Sequence, residues 1–287
     1  CEVLTLTGDY GQLPPLPAIG GNEGVGRVEL IGEGVRGFSA GQLVLLPVGC
    51  GTWSTHVQAP AAQFVPLPEG ADPRQLAMLA INPPTALLML RQFVDLQPGE
   101  WVIQNAANSA VGGYLIELAK LRGLKTVNVV RRDSAIEQMG DAPGDVLLVD
   151  GDDLAQRVTE ATGRAKIRLG IDAVGGMATE RLARCVASGG TLVNYGMMSG
   201  EPCQISAGSL VFRDVRLVGF WLARWFRGAS QTEQAEVYGE LAGLIAKSQL
   251  QARIAATFAV SEIQQAVAEA ARGGRSGKVL VVPAANE

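Results

Sequence analysis

Two arginines and a turn of small residues are the first candidates for chemistry in this chain. Residues 101–105 and 125–130 are short, apolar, β-branched runs that predict buried strands. The turn after the first run consists of small residues, among them Asn108, Ser109, Ala110 and Val111. Such a turn lets the backbone approach a pyrophosphate, which binds at the positive end of the following helix. Arg131 and Arg132 follow the second run, where guanidinium groups accommodate a ribose 2′-phosphate. The pattern favours NADP(H) over NAD(H); the alternative is a plain βαβ unit with a surface arginine pair.

Two later segments add candidate contacts at strand ends. Residues 194–198 follow an apolar run, and Tyr195 with Gly196 can pack a nicotinamide ring against backbone. A strand that simply runs into a turn explains the same pattern. Residues 219–222 follow the next apolar run, where backbone groups can bond a carboxamide, although Trp221 can equally anchor a domain interface.

Tyr10 is the candidate proton donor. It lies between Asp9 and Gly11 in a loop, without the apolar neighbours of a core aromatic residue. A neutral phenol can deliver a proton to a developing carbanion or enolate. From the residues alone, an ordinary surface-loop tyrosine stays the alternative.

The elements that must position these residues alternate along the middle of the chain. Apolar residues at Val111, Leu115 and Leu118 have helical spacing, which predicts a helix over 110–121. Strands are predicted at 101–105, 125–130, 145–149, 167–173, 190–195 and 215–220. Six such strands with crossover helices indicate an α/β fold, a Rossmann-type doubly wound parallel sheet.

The flanking segments predict a second, smaller unit. Residues 1–75 are rich in glycine and proline between short apolar runs, which is typical of an all-β unit. A helical pattern covers 74–93. Beyond Trp221 we expect a helix near 232–247, a strand near 252–259, a helix near 261–272 and a strand at 278–282, returning to complete this unit.

Composition narrows the class of protein. With 287 residues, a net charge of −4 and 47% hydrophobic residues, the chain suits about two globular domains. It shows no membrane span, signal segment or basic cluster for nucleic acid. The scattered cysteines favour a reducing compartment, and the single histidine, His56, excludes histidine-rich metal sites. We expect that a segment preceding Cys1 is missing from the sequence.

Several motifs together resemble those of a known family. Residues 21–26 resemble the Gly-His-Glu segment of the medium-chain dehydrogenases/reductases, with Asn22 in place of the histidine that ligates catalytic zinc in the alcohol dehydrogenase branch. The segments 82–87, 104–112, 128–131, 195–199 and 219–222 look like the zinc-independent trans-2-enoyl-thioester reductase branch. This resemblance implies a GroES-like, mainly-β catalytic domain from residues 1–76 and 223–287, and a Rossmann domain from residues 77–222.

The resemblance also implies roles for individual residues. The family's proton-donating tyrosine falls on Tyr10, and no metal is implied. Its NADP(H) contacts fall on Asn82, Asn108, Ser109, Ala110, Val111, Arg131, Arg132, Tyr195, Gly196, Met197, Met198, Phe220, Trp221, Leu222 and Lys278. The chain departs from the family at Ala110, where a glycine is usual, and in segment 138–144.

The implied activity is NADPH-dependent reduction of trans-2-enoyl thioesters, carried by CoA or acyl carrier protein, to saturated thioesters, as in fatty acid synthesis. The implied assembly is a homodimer, in a bacterial-type cytoplasm or in the mitochondrial matrix of a eukaryote. The alternatives are an NADPH:quinone or enone oxidoreductase on the same scaffold and a non-catalytic NADPH-binding protein.

Overall fold

The structure of the chain divides into two units. A computed structural model describes residues 2–140, 144–272, 274 and 277–283. The first unit comprises Cys1–Pro84 and Ala229–Glu287, and the second comprises Thr85–Gly228. Of the segment that departs from the family pattern, residues 141–143 lie outside the described residues. No helix in the described parts of the chain is long and apolar enough to cross a membrane.

The amino-terminal part of the first unit contains short elements. Helix α1 (Glu2–Thr7) is followed by strands β1 (Val25–Arg27), β2 (Leu43–Leu45) and β3 (Val65–Pro66), which form an antiparallel sheet in the order β1-β2-β3. The prediction that residues 1–75 form an all-β unit is therefore wrong for residues 2–7, which form helix α1. This helix ends at Gly8, whose φ of 84° suits a residue without a Cβ. The N–H groups of Asp9 and Tyr10 then both donate to the carbonyl of Leu4.

Two helices lead out of this part of the chain. They are α2 (Pro73–Leu76) and α3 (Asn82–Gln92), so the helical pattern predicted over 74–93 is interrupted between them. The Asp72 carboxylate caps α2 by accepting the N–H of Arg74 at 2.9 Å. Two prolines, Pro83 and Pro84, occupy the first turn of α3, where a missing N–H is tolerated.

The second unit is a six-stranded parallel sheet with crossover helices. Its elements are β4 (Trp101–Gln104), α4 (Ala110–Leu121), β5 (Lys125–Val130), α5 (Ser134–Met139), β6 (Val146–Val149), α6 (Leu154–Ala161), β7 (Ile167–Asp172), α7 (Met177–Cys185), β8 (Thr191–Asn194), a π-helical turn (Gly208–Phe212), β9 (Arg216–Gly219) and α8 (Leu222–Gly228). The strand order is β6-β5-β4-β7-β8-β9. The predicted doubly wound parallel sheet is confirmed.

The order of these strands locates a binding crevice. The chain leaves β4 toward β5 on one side and later returns to pair β7 on the other side of β4. In open α/β sheets, ligands bind at such a reversal, beyond the carboxyl ends of the strands. Beneath this edge, Ile103, Val127 and Ile167 are among the buried residues that form the core of the sheet.

The carboxyl-terminal part of the chain belongs to the first unit. It contains α9 (Gln231–Ala246), β10 (Ile254–Ala259), α10 (Ile263–Ala271) and β11 (Lys278–Val282), with β10 and β11 paired in parallel. Gln75 exchanges two hydrogen bonds with the backbone of Ala252, at 2.9 and 3.0 Å. The hydroxyl of Tyr238 donates to the carbonyl of Ala80 at 3.1 Å. These contacts join the two separated stretches of the first unit.

Candidate functional site

The turn between β4 and α4 presents the amino terminus of a twelve-residue helix. Ser109 caps this helix, because its hydroxyl accepts the N–H of Gly112 at 3.1 Å. A Cβ at Gly112 would fall 2.4 Å from the carbonyl oxygen of Ala107, so only glycine allows this close packing. Ala110, the departure from the family pattern, is partly exposed and sits two residues before this contact. The turn thus leaves the positive end of α4 available to an anion.

Arg131 and Arg132 lie directly after β5, the strand next to β4 in the sheet. Both residues are exposed. Within the described residues neither guanidinium forms an ion pair. Two unpaired cations at this place suit a phosphate group on the ribose of a dinucleotide.

A buried carboxylate that sequence reasoning missed lies at the end of β7. Asp172 is fully buried, and its oxygens accept hydrogen bonds from Asn105, Thr179 and Asn194 at 2.6–3.0 Å. They also accept the N–H groups of Val174 and Gly175. The only signal in the sequence is an acidic residue that closes an apolar strand and precedes Ala-Val-Gly-Gly.

The turn after β8 carries Tyr195 and Gly196. The N–H of Tyr195 donates to the carbonyl of Asp172 at 2.9 Å, and a Cβ at Gly196 would fall 2.7 Å from the carbonyl oxygen of Ala173. Burial raises the pKa of Tyr195 well above its usual value, which a hydrogen bond with the Ser109 side chain partly offsets. The structure therefore brings two predicted site residues, Ser109 and Tyr195, together. Met197 and Met198 are exposed.

The segment after β9 continues the same edge of the sheet. The N–H of Phe220 donates to the carbonyl of Asn194 at 2.8 Å, and its ring packs edge-on against Phe93 with centroids 6.1 Å apart. Trp221 is 37% exposed and lies 4.9 Å from the guanidinium of Arg227. Leu222 is buried and begins α8.

Three predicted site residues lie in the first unit: Tyr10, Asn82 and Lys278. Tyr10 is partly exposed, and its N–H donates to the carbonyl of Leu4 in α1 at 3.1 Å. The side-chain nitrogen of Asn82 is buried and has no hydrogen-bond partner among the described residues. A buried donor without a partner is costly and marks a place that a ligand can satisfy.

Lys278 lies beside a carboxylate whose side chain is only 11% exposed. Its ammonium is 3.9 Å from Oε1 of Glu23, while Oε2 of Glu23 accepts the N–H of Ile81, the residue before Asn82, at 3.2 Å. Burial raises the pKa of Glu23 to about 7, and the charge of Lys278 opposes this shift. Sequence reasoning gave Glu23 no role.

The described residues include no group of three or more histidine, cysteine or acidic side chains arranged to hold a metal ion. Cys50, Cys185 and Cys203 are free thiols. His56 pairs with Glu29 at 2.9 Å on the surface, where both side chains are mostly exposed.

Sequence models of two families match the chain. The zinc-binding dehydrogenase family covers residues 110–238, and the alcohol dehydrogenase GroES-like domain covers residues 2–69. Among curated relatives, the mitochondrial enoyl-acyl-carrier-protein reductase of Rattus norvegicus is 38% identical over 274 residues, which is 93% of this chain and 73% of the relative.

Two solved structures share the fold. One, from Bacillus thuringiensis and assigned as an NADPH:quinone reductase, is 28% identical with a TM-score of 0.88, covering 98% of this chain and 86% of that chain. The other is Etr1p in complex with NADP and crotonyl-CoA, which is 23% identical with a TM-score of 0.88, covering 98% of this chain and 87% of that chain.

Proposed function

The chain belongs to the enoyl-acyl-carrier-protein reductase family of the medium-chain dehydrogenases/reductases, and we propose that it reduces trans-2-enoyl thioesters with NADPH. The observation that carries this proposal is the 38% identity to a named reductase over 93% of the chain. The product is a saturated acyl thioester, a step of the kind that fatty acid synthesis requires.

The second unit suits a phosphorylated dinucleotide. In the proposed arrangement the pyrophosphate lies at the amino terminus of α4, beside Asn108, Ser109, Ala110 and Val111. Arg131 and Arg132 hold the 2′-phosphate. The turns after β8 and β9 hold the nicotinamide end through Tyr195, Gly196, Met197, Met198, Phe220, Trp221 and Leu222. The close backbone contacts at Gly112 and Gly196 support this arrangement.

The first unit supplies the remaining groups. Asn82, whose buried nitrogen has no hydrogen-bond partner among the described residues, and Lys278 are the remaining proposed cofactor contacts. We assign residues 1–76 and 223–287 to the catalytic domain and residues 77–222 to the NADP(H)-binding domain. The division of the chain into two units supports two such domains, with the difference that residues 77–84 lie in the first unit and residues 223–228 in the second.

Tyr10 is the proposed proton donor. When bound, NADPH supplies the hydride that reaches the β-carbon of the alkene. The substrate then carries negative charge on its α-carbon and thioester oxygen, and Tyr10 delivers a proton to the α-carbon directly or through water. This route needs no metal, and Asn22 stands where the zinc branch has a histidine ligand.

The test is the variant Tyr10→Phe. Loss of the phenolic proton should lower kcat for crotonyl-CoA reduction by about 10²–10⁴-fold, the usual contribution of a general acid. The dissociation constant of NADPH, measured by fluorescence titration, should stay close to the wild-type value. The control variant Tyr195→Phe removes a phenol beside the nucleotide turn and should change NADPH binding instead. Unchanged turnover in Tyr10→Phe would remove Tyr10 from the mechanism.

The main rival is quinone or enone reduction by NADPH, which the 28% identical Bacillus thuringiensis structure favours. Steady-state rates with crotonyl-CoA and with quinones, each measured with NADPH and NADH, separate the two. The proposed function requires the enoyl thioester and NADPH to give the highest kcat/KM. Oxidation of NADPH by quinones alone would favour the rival, and oxidation by neither substrate would favour a non-catalytic binding protein.

The proposed assembly is a homodimer formed at the β9 edge of the sheet. In the part of the chain that the structure describes, strand β9 has a neighbour on one side only, so its other side can pair with a second copy. The π-helical turn before it exposes Leu210, Val211 and Phe212, with Phe212 87% exposed. An exposed apolar group beside a free strand edge is typical of an interface.

A further inference from the structure

The carboxylate of Asp172 plays no part in the proposed reaction, yet it joins the turns on which the cofactor would lie. It is fully buried and accepts five hydrogen bonds. Its donors come from the turn after β4, the turn after β7, helix α7 and the end of β8. Burying an ionised carboxylate costs several kcal/mol per ion, which only well-formed hydrogen bonds offset. Well-packed apolar side chains in place of Asp172 and its partners would stabilise the fold at least as well.

Two amide side chains extend this contact into the backbone of neighbouring turns. The nitrogen of Asn105 donates to Asp172 at 2.6 Å, while its oxygen accepts the N–H of Ala173 at 2.8 Å. The nitrogen of Asn194 donates both to Asp172 at 3.0 Å and to the carbonyl of Gly196 at 2.9 Å. Because an ionised carboxylate is only an acceptor, it fixes which end of each amide faces it.

The turn at Gly196 has little freedom to move by itself. A Cβ there would fall 2.7 Å from the carbonyl oxygen of Ala173, so the turn rests directly on the exit of β7. The N–H of Met198 donates to the same carbonyl at 3.1 Å. The link from Asp172 through Asn194 therefore sets the place of the whole Tyr195–Met198 turn.

We propose that Asp172 and Asn194 are positioning residues, which together hold the Tyr195–Met198 turn in the shape that receives the nicotinamide end of NADPH. This inference rests on the proposed function of that turn. Neither side chain contacts the reacting atoms in this proposal. Their effect is to fix the backbone that does, in the way that supporting hydrogen bonds preorganise a site.

The test compares Asn194→Ala with Thr179→Val, because both remove one donor to the same oxygen, Oδ2 of Asp172. Thr179 lies on α7 and holds no cofactor turn, so Thr179→Val measures the structural cost alone. We expect Asn194→Ala to raise KM and Kd for NADPH by roughly tenfold, the change that loss of one well-formed hydrogen bond produces. Thr179→Val should leave both constants near the wild-type values at a similar loss of Tm.

A second variant keeps the proposal testable if Asn194→Ala folds poorly. Gly196→Ala displaces the same turn from its other side without touching Asp172, and it should raise the Kd for NADPH in the same way. Equal effects of Asn194→Ala and Thr179→Val on Kd, or no effect of Asn194→Ala, would overturn the inference. Failure of the proposed function would be seen separately, because the wild-type protein would then not reduce crotonyl-CoA. That result does not depend on how the variants bind NADPH.

Discussion

The carboxyl group of Glu23 lies in a poorly solvated environment, which disfavours its ionised form. Burial raises its pKa from 4.5 to about 7, and the nearby Glu2 adds to the shift. Lys278 opposes it, but at 3.9 Å its charge does not overcome the loss of water. The carboxyl group therefore titrates near neutral pH in the folded chain and near its ordinary pKa in the unfolded chain.

This difference predicts a stability that depends on pH. Between about pH 4.5 and 7 the native state binds the proton more tightly than the unfolded state, so the free energy of unfolding falls as pH rises. The contribution is complete below pH 4.5 and is lost once pH passes 7, on the order of 3 kcal/mol at 1.36 kcal/mol per pKa unit. Glu23→Gln cannot ionise and keeps an acceptor for the N–H of Ile81.

Urea unfolding at pH 5, 6, 7, 8 and 9 measures the effect. The wild-type protein should lose stability relative to Glu23→Gln across this series, and the gap should level off above pH 8. Glu33→Gln, which removes an exposed carboxylate, is the control and should follow the wild-type curve. Parallel curves for wild type and Glu23→Gln would show that burial does not govern this group.

At the scale of elements, the sequence predicts the second unit and the carboxyl-terminal part of the first far better than the amino-terminal part of the first. Each predicted strand of the parallel sheet agrees with the structure to within one residue at either end, because buried parallel strands are uninterrupted apolar runs. Helix α4 has the predicted bounds. In the amino-terminal part of the first unit, the strands are only two or three residues long and leave a weak pattern, and α1 is absent from the prediction.

The residues of the candidate site also differ in how well the sequence predicts them. Arg131 and Arg132 lie at a strand end, as local pattern predicts, while their role stays a prediction. The partners of Asp172 are spread over nearly ninety residues, from Asn105 to Asn194, and meet only when the sheet forms. Glu23 and Lys278 lie even farther apart along the chain. Contacts of this kind leave no periodic signal in one sequence.

The turn that begins α4 offers a matched pair of glycine variants. Gly112→Ala places a Cβ against the carbonyl of Ala107, at 2.4 Å, so backbone must shift at a cost of ~1–3 kcal/mol. Gly113→Ala meets nothing within 4 Å and should gain ~0.5–1 kcal/mol from helix propensity. Chemical denaturation measures both, and NADPH titration should show weaker binding for Gly112→Ala only. Equal stabilities would mean that the turn is loose.

At the scale of the whole molecule, the sheet ends in two edges, β6 and β9, and the exposed apolar residues of the π-helical turn lie beside β9. The N–H of Val215 donates to the carbonyl of Ser209 at 3.0 Å, which holds the π-helical turn against the start of that strand. Phe212 and Val211 therefore lie next to the free edge of β9 and not in a distant loop. A second copy related by a two-fold axis would cover both the apolar side chains and the unpaired backbone groups.

Phe212→Lys tests this assembly directly. A charge in place of the 87% exposed ring would be buried and unpaired twice in a symmetric interface, so the dimer should dissociate. Sedimentation velocity at micromolar concentration should show the wild type near twice the chain mass of 30.1 kDa and the variant near that mass itself. Leu121→Lys is the control, since Leu121 is also exposed, at 44%, but ends α4, where a cation is favourable. This control should sediment like the wild type. A monomeric wild type would contradict the proposed dimer, and a dimer that persists in Phe212→Lys would show that the interface lies elsewhere.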